Sequence, residues 1–445
     1  MPRPTQPHSK ESDSWVTPAP KPDSAAPSAS TTAAAAAAAP RSSRVLAFTG
    51  AAHLRHRLVL SLLSRRPVRI DRIRADDDEP GLRPHEVSFL RLVEKLTQGS
   101  RLEISYSGTA LLFHPGTIQG GQVTHQCPND RGVGWFLEPL LAIAPFGKKD
   151  LALTLRGVTT DGRDASVDTI RTSGLPHLAM FLDTDGLELR ITKRGHPPLG
   201  GGEITFTCPS VRAIKSGFDF TQVGRIAKIR GIAHSVRVSP QLANRLVAAA
   251  RSVLNRYIPD IYIYTDVYRG EDSGKSPGYA ITLLASSTSH VLHSAEATSC
   301  PPPPSSSTSS GTAEPAHPPV PEDLGIAAAR LLLDEVRRGG CVDRGWEWLV
   351  TTMLVLGGED VGRVVVAGPF EAFLIEHLRD LKAFFGTTFK IKDAVRTAAA
   401  AGGATEGADE DEDAEMASVA KAPPPEEYVL SCVGTGYVNT AKRAG

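Results

Sequence analysis

The sequence predicts a mixed α/β (α+β) fold: a large domain of three β-α-β-α-β-β pseudo-repeats, interrupted by one smaller inserted α/β domain. Two observations predict it. Stretches with helical spacing of apolar residues alternate with short strand-like stretches, and this succession occurs three times along the chain. We expect the large domain to comprise residues 44–207 and 320–445, and the inserted domain to comprise residues 208–298.

The first two repeats follow from the order of these stretches. In the first repeat, a helix, a strand, a helix and a strand pair that turns at Ser107 and Gly108 are expected at 54–64, 68–74, 85–98, 101–105 and 110–114. The second repeat starts with a strand near Gly120. Its later elements are a helix, a strand, a helix and two strands, expected at 133–144, 151–157, 166–181, 187–193 and 202–207.

The third repeat and the inserted domain complete the predicted fold. For the third repeat, helices are expected at 321–338, 346–354 and 370–385, and strands at 363–367, 388–392 and 428–434. The inserted domain has its own pattern, with a helix expected at 240–257 and strands at 260–265 and 279–286.

Three stretches have too few large apolar residues to offset the entropy lost on ordering. Residues 1–43 are rich in Ser, Pro and Ala, and we expect a disordered tail. Residues 299–319 are rich in Pro and Ser, and residues 402–427 are acidic. Both are predicted to be surface loops inserted into the folded body.

The overall charge balance hides a basic body. The formal net charge is zero, from 49 basic and 49 acidic residues. Residues 402–427 hold nine acidic residues and one basic residue, a net charge of −8, so the rest of the chain carries +8. A modestly basic body with an acidic loop remains compatible with a nucleic-acid partner.

Cysteine spacing and hydropathy exclude several protein classes. The five cysteines lie far apart and form no C-x-x-C pair, which argues against a disulfide framework and a zinc site. Apolar runs stay well short of the about 18 residues that a membrane span requires, and the N-terminus lacks the apolar core of a secretory signal. We therefore expect a cytosolic or nuclear protein with no cofactor, no metal and no membrane partner.

Several blocks of sequence, in order along the chain, carry a family resemblance. They are the segment 48–61, Arg66-Pro67-Val68, Ile73-Arg74-Ala75 with Pro80-Gly81-Leu82, Gly99-Ser100 with Phe113-His114-Pro115-Gly116, and Gly200-Gly201-Gly202. This ordered set resembles the RNA 3′-terminal phosphate cyclase family and covers nearly all of residues 44–395. Finer blocks, such as 230–240, 258–266 and 273–278, are similar to the nucleolar cyclase-like proteins of small-subunit ribosome biogenesis.

One position departs from the active members of that family. Active cyclases carry, after a short G-P or H-P turn, a histidine that attacks the α-phosphate of ATP and becomes adenylylated. The corresponding turn here is Gly368-Pro369-Phe370-Glu371-Ala372, and the next residue is Phe373. A phenyl ring has neither a lone pair nor a proton to exchange, so the resemblance implies a protein that is not a cyclase. His377 lies one helical turn further on, which displaces it by roughly 5–6 Å.

The resemblance also implies a cellular role. It places the protein in the nucleus, in the nucleolus, where it would act in early processing of the 18S rRNA precursor and in assembly of the 40S subunit. Its implied partners are a ribosome-assembly GTPase, pre-rRNA and the small-subunit processome. Three hypotheses stay open: a binding protein without chemistry, an endoribonuclease, and a residual cyclase, against which Phe373 argues.

The candidate catalytic residues of the endoribonuclease hypothesis are Arg379, Asp380 and Lys382, on the helix predicted at 370–385. A carboxylate could position a metal or act as a base toward a 2′-hydroxyl, and the two cations could stabilise the developing phosphorane charge. The same three residues also fit an RNA contact without chemistry, or the solvated face of an ordinary amphipathic helix.

A second candidate group consists of arginines near the turn at Gly50. Guanidinium groups suit bidentate contact with phosphates, and nearby glycines let a backbone approach closely. A solvated helix face is the alternative. The arginines expected to contact RNA or an acidic partner are Arg55, Arg57, Arg72, Arg74 and Arg83.

Overall fold

The computed structural model describes residues 45–182, 185–299, 320–394 and 426–442. These residues form the mixed α/β architecture that the sequence predicts. The predicted tail at 1–43 lies outside the described residues, as do nearly all of the predicted loops at 299–319 and 402–427. Glu427, the last residue of the predicted acidic loop, begins a strand.

The helices largely coincide with the predicted ones. The segment predicted as one helix at 166–181 consists of two short helices joined by a π-turn at Ile170–Gly174. The helices are α1 Leu54–Ser64, α2 Pro84–Leu96, α3 Val133–Leu140, α4 Val167–Thr169, α5 Leu175–Ala179, α6 Pro240–Leu254, α7 Pro321–Arg338, α8 Glu347–Leu356 and α9 Ala372–Phe385.

Most strands are short, as the sequence predicts, and they include six that the sequence analysis did not locate. They are β1 Leu46–Thr49, β2 Val68–Asp71, β3 Thr97–Gln98, β4 Arg101–Ile104, β5 Leu111–His114, β6 Thr117–Ile118, β7 Gly121–Gln126, β8 Leu151–Gly157, β9 Glu188–Lys193, β10 Gly202–Cys208, β11 Asp219–Phe220, β12 Ile226–Val236, β13 Ile261–Tyr268, β14 Gly278–Ser287, β15 Leu292–Thr298, β16 Val361–Ala367, β17 Lys390–Asp393 and β18 Glu427–Val433. The six are β1, β3, β6, β11, β12 and β15, of which β12 and β15 are the longest.

Three of the sheets share one topology. Their strand orders are β1-β2-β5-β4, β7-β8-β10-β9 and β11-β16-β18-β17. In each sheet the first pair is parallel and the next two pairs are antiparallel. The strands of each sheet follow the same chain order, namely first, second, fourth and third. This shared order is the structural counterpart of the three predicted repeats, and one continuous apolar core joins them.

A fourth sheet, with the order β13-β12-β14-β15, has its own smaller core. Helix α7, which the sequence analysis assigns to the third repeat, contributes Leu324, Ala328 and Leu332 to this smaller core and packs against α6. At Gly325 a Cβ would lie 2.6 Å from the carbonyl oxygen of Leu246, so the absence of a side chain allows the close approach. The apolar stripe of α7 predicts a helix but not the core that it joins.

Helix α9 positions the candidate catalytic residues. It ends at Gly386, whose φ of +79° lies in the left-handed region that glycine adopts easily. Its buried side chains recur at helical spacing and face the large core: Leu374, His377, Asp380, Leu381 and Phe384. Within the described residues, every helix is too short or too polar to cross a bilayer.

Candidate functional site

A cleft of about 260 Å³ opens between α1, α3 and the start of α9. Its lining includes the rings of His53, His56 and Phe373 and the guanidinium groups of Arg55, Arg74 and Arg131. A neighbouring cleft of about 520 Å³ shares Arg55 and Arg131 with it and adds Arg163 and Arg344, with several carboxylates. Phe373, identified from the sequence, and two of the five predicted arginines therefore lie in one depression.

Phe373 lies among three imidazole rings. Its ring stacks on that of His53 at a centroid distance of 4.6 Å and meets His56 edge-on at 5.1 Å. The ring of His377 is parallel to it at 6.3 Å. The side chain at this position fills space between apolar and aromatic surfaces, and it offers no nucleophilic atom to the cleft.

The imidazoles around Phe373 are held in their neutral form. Burial lowers the pKa of His377 to about 3, with the charge of His53 acting in the same direction. Burial also places the pKa of His56 well below its usual value, and nearby Arg55 adds to this effect. His377 is only 1% exposed, and its Nε2 forms a 2.9 Å hydrogen bond with the Thr352 hydroxyl. His377 therefore packs behind Phe373 and does not replace it at the cleft.

Trp135 organises the cationic side of the cleft. The guanidinium of Arg55 lies over its ring at 4.5 Å, and that of Arg131 lies at 5.6 Å. Arg55 also donates to the Trp135 carbonyl and to Glu138, the latter at 3.2 Å, while Arg131 donates to Asp164 at 2.7 Å. Both cations are therefore oriented before any ligand arrives.

Three polar atoms beside the cleft are shielded from solvent. Nδ1 of His53, Nε2 of His56 and Nε of Arg131 are buried, and none has a hydrogen-bond partner within the described residues. The groups that a ligand in the cleft would meet are therefore the partly exposed guanidinium groups of Arg55 and Arg131.

The comparisons with known proteins show the family of the chain. The family model of the RNA 3′-terminal phosphate cyclase matches residues 46–391. The chain belongs to the RNA 3′-terminal phosphate cyclase family. It is 46% identical over 398 residues to the RNA 3′-terminal phosphate cyclase-like protein of Homo sapiens, covering 89% of this chain and 97% of the human protein. It is 45% identical over 348 residues to an rRNA processing protein of Schizosaccharomyces pombe, covering 78% and 92%.

Membership of the cyclase family confirms the resemblance drawn from the ordered sequence blocks. A third relative, the probable RNA 3′-terminal phosphate cyclase-like protein of Arabidopsis thaliana, is 41% identical over 346 residues, or 77% of this chain and 91% of the plant protein. The match therefore extends over the repeats and the smaller domain alike.

The predicted arginines have different environments in this cyclase-family fold. Arg55 and Arg74 line the cleft, and Arg74 donates to the carbonyl of Gly81 at 2.9 Å and to Glu86. Arg72 and Arg83 are absent from the lining of both clefts and pair with acids of their own loop, Asp76 and Glu79. The acidic loop at 76–79 therefore pairs with two of the five predicted arginines.

Arg57 has a structural position. Its Nε lies 2.9 Å from Asp380, its Nη1 donates to the Ala52 carbonyl at 3.1 Å, and its guanidinium lies 4.2 Å from the centre of the Phe48 ring. The side chain is 8% exposed. Arg57 therefore joins the first repeat to the third and is not available to a phosphate.

The candidate catalytic residues do not converge. Asp380 is 3% exposed and bound to Arg57, whereas Arg379 and Lys382 lie on the solvent side of α9. Arg379 forms an ion pair with Glu376, one turn earlier on the same helix. Neighbouring positions on a helix point in different directions, so the structure separates the carboxylate from both cations.

Sequence reasoning missed Arg131, Trp135 and Arg163. Each lies in a connection or helix of the second repeat. Arg131 and Trp135 line the cleft and Arg163 lines the neighbouring cleft only because that repeat packs beside the first. Among the described residues, no group of three or more His, Cys, Asp or Glu side chains is arranged to hold a metal ion. The side chains that the cleft presents include guanidinium groups, imidazoles and aromatic rings.

Proposed function

We propose that the protein acts in early pre-rRNA processing and assembly of the 40S ribosomal subunit, as a family member that binds RNA without cyclase chemistry. One observation carries this proposal: Phe373, which by the family resemblance stands at the position of the nucleophile, lines a cleft together with three arginines. The names of the relatives in Homo sapiens and Schizosaccharomyces pombe, a cyclase-like protein and an rRNA processing protein, support the same conclusion.

The cleft suits phosphate recognition. Arg55 and Arg131 are held over Trp135 with part of their five donors already used, and the remaining donors are free to meet phosphate oxygens. Both side chains are partly exposed to the cleft. An RNA chain with its phosphates in the cleft would pair with these guanidinium groups and use the basic body of the protein.

The finer assignments rest on the family resemblance. They are a nucleolar location, membership of the small-subunit processome, and binding to a ribosome-assembly GTPase together with pre-rRNA. Endoribonuclease activity through Arg379, Asp380 and Lys382 has no supporting contact, because Asp380 is occupied by Arg57.

Adenylylation provides the first test. Purified protein incubated with ATP labelled on the α-phosphate should carry no covalent nucleotide after denaturation, because Phe373 cannot form a phosphoramidate. Label on the denatured protein would contradict the proposal.

RNA binding by the cleft provides the second test. We expect the R131A variant to bind single-stranded RNA at least about tenfold more weakly. The reason is that it loses a charge-assisted hydrogen bond to phosphate, which is worth about 1.5–3 kcal/mol. R190A is the matched control, because Arg190 pairs with Glu188 at 3.0 Å on the exposed surface of the same repeat. Equal affinities for the two variants, each checked by its melting temperature, would contradict the role of the cleft.

A further inference from the structure

The fourth sheet has one face covered by helices and one face without them. Helices α6 and α7 pack on the face formed by Ile229, Ala233, Ile261 and Ile263. Because side chains alternate along a strand, the opposite face carries residues of the other parity. On this open face the strand register places Tyr262 beside Arg230, and Tyr264 beside Ile232.

One end of the open face is docked on the second repeat. Arg194, completely buried, forms ion pairs with Asp168 of α4 and, at 3.0 Å, with Asp266 of β13. Its guanidinium also lies 5.2 Å from the centre of the Tyr268 ring. Tyr268 and Asp266 of β13 are therefore used to hold the smaller domain against the body.

The other end of the same strand is uncovered. Tyr262 is 65% exposed and Tyr264 is 46% exposed. In the part of the chain that the structure describes, neither ring stacks on another aromatic ring and neither hydroxyl forms a hydrogen bond. A strand rises about 3.3 Å per residue, so the two rings protrude from one face at a spacing of about 6.6 Å.

Cations border the two rings. Lys228 is exposed on the neighbouring strand, and Arg230 forms a two-point ion pair with Asp260 at 2.8 and 3.0 Å. Pairs at the surface contribute little stability, so the guanidinium of Arg230 is free to exchange this partner for a phosphate. A third cation, Arg171 of the second repeat, pairs with Asp168, and 34% of its side chain remains exposed.

This chemistry favours a nucleic-acid strand over an apolar protein surface. The most exposed side chains of the face are two tyrosines and a lysine, while the apolar Ile232 and Leu284 are half-buried. Exposed aromatic rings on a sheet, bordered by basic side chains, are how proteins stack the unpaired bases of single strands.

We propose that Tyr262 and Tyr264 form a stacking platform for two unpaired bases of single-stranded RNA, with Lys228 and Arg230 contacting the adjoining phosphates. This inference rests on the proposed function in pre-rRNA processing, because it names a second surface for the same substrate. The platform lies on the smaller domain, so its contribution is separable from that of the cleft.

The test measures binding of a fluorescein-labelled oligouridylate of about ten nucleotides by fluorescence anisotropy, using the full chain. The Y262A/Y264A variant should bind at least about 25-fold more weakly, or about fivefold for each ring lost. Y262F/Y264F should retain the affinity within about twofold, because the stacking faces remain. Y257A is the matched control, since Tyr257 of the same domain is 63% exposed but precedes β13.

Four outcomes decide between the two proposals. Weak binding by Y262A/Y264A, with Y262F/Y264F and Y257A like the wild type, supports the platform. Unchanged binding by Y262A/Y264A overturns it, even if R131A then shows that the cleft binds RNA. If Y262A/Y264A binds RNA weakly and R131A binds like the wild type, the platform is supported and the role of the cleft is overturned. If the Y262A/Y264A change weakens binding of a duplex RNA as much as binding of the single strand, the stacking platform is overturned, because paired bases cannot stack on the rings.

Discussion

Two buried arginines join different parts of this molecule, and their surroundings differ. Arg57 bridges the first and third repeats through one carboxylate, that of Asp380. Arg194 bridges the second repeat and the smaller domain through two carboxylates, those of Asp168 and Asp266. The first interface also has a continuous apolar core, whereas the second joins two separate cores. We therefore expect docking of the smaller domain to depend more on buried charges than packing of the repeats does, although Val291 of the smaller domain belongs to the large core.

The electrostatics of the Arg194 cluster are consistent with this difference. Burial would raise the pKa of Asp168, but the Arg194 guanidinium outweighs burial and holds that pKa below its usual range. Arg194 Nη1 lies 3.2 Å from Nδ1 of His234, which must accept, so Nε2 of His234 carries the proton and donates to His196 at 3.1 Å. Burial lowers the pKa of His196 to about 4, which keeps this pair neutral.

The largest expected effect follows from removing Arg194. The R194A variant should lose about 3–5 kcal/mol of unfolding free energy, because Asp168 is left buried without its cation. Urea denaturation at pH 7.5 measures this loss, and the surface variant R190A serves as the control. A loss below about 1 kcal/mol would show that burial of the cluster is not what holds the smaller domain in place.

A smaller loss is expected at the other bridge. The D380A variant should lose about 3 kcal/mol, since Arg57 stays buried but keeps its bond to the Ala52 carbonyl. The R379A variant of the same helix should change stability by less than about 0.5 kcal/mol, because the Arg379–Glu376 pair is exposed. If D380A melted like the wild type but lost an RNA-cleaving activity, Asp380 would be catalytic and the structural interpretation would fail.

The smallest effect is a dependence on pH. His377 has a folded-state pKa of about 3, below its usual value of about 6.5, so the unfolded chain binds the proton more tightly. The contribution of His377 to the unfolding free energy is fully present above about pH 6.5 and is lost as the pH falls toward 3. At pH 5 the loss from this one group is about 2 kcal/mol.

The variant H377Q removes the titrating group and keeps a partner for Thr352. It should reduce the loss of unfolding free energy between pH 7.5 and pH 5 by about 2 kcal/mol. The same loss in H377Q and in the wild type would show that His377 does not remain neutral in the folded protein.

Much of the fold is predictable because periodicity is a local property. The segments 54–64, 151–157 and 321–338 form elements with the predicted bounds. Strand β12 was missed because the charges of Lys228 and Arg230 interrupt its apolar pattern, and these residues lie on a face that no helix covers. The apolar stripe of α7 was recognised, but a stripe alone does not identify the core that receives it.

By itself, the sequence determined the kinds of elements, their threefold succession, the family and the phenyl ring at position 373. These follow from local spacing and from motifs that are contiguous in the chain. Only the tertiary structure decided which charges are available. It paired Arg57 with Asp380 across 323 positions, brought Arg131 and Trp135 to the cleft, and left Tyr262 and Tyr264 uncovered while Tyr268 docks. The physical reason is that the availability of a charged or aromatic side chain depends on its neighbours in space, which spacing along the chain does not specify.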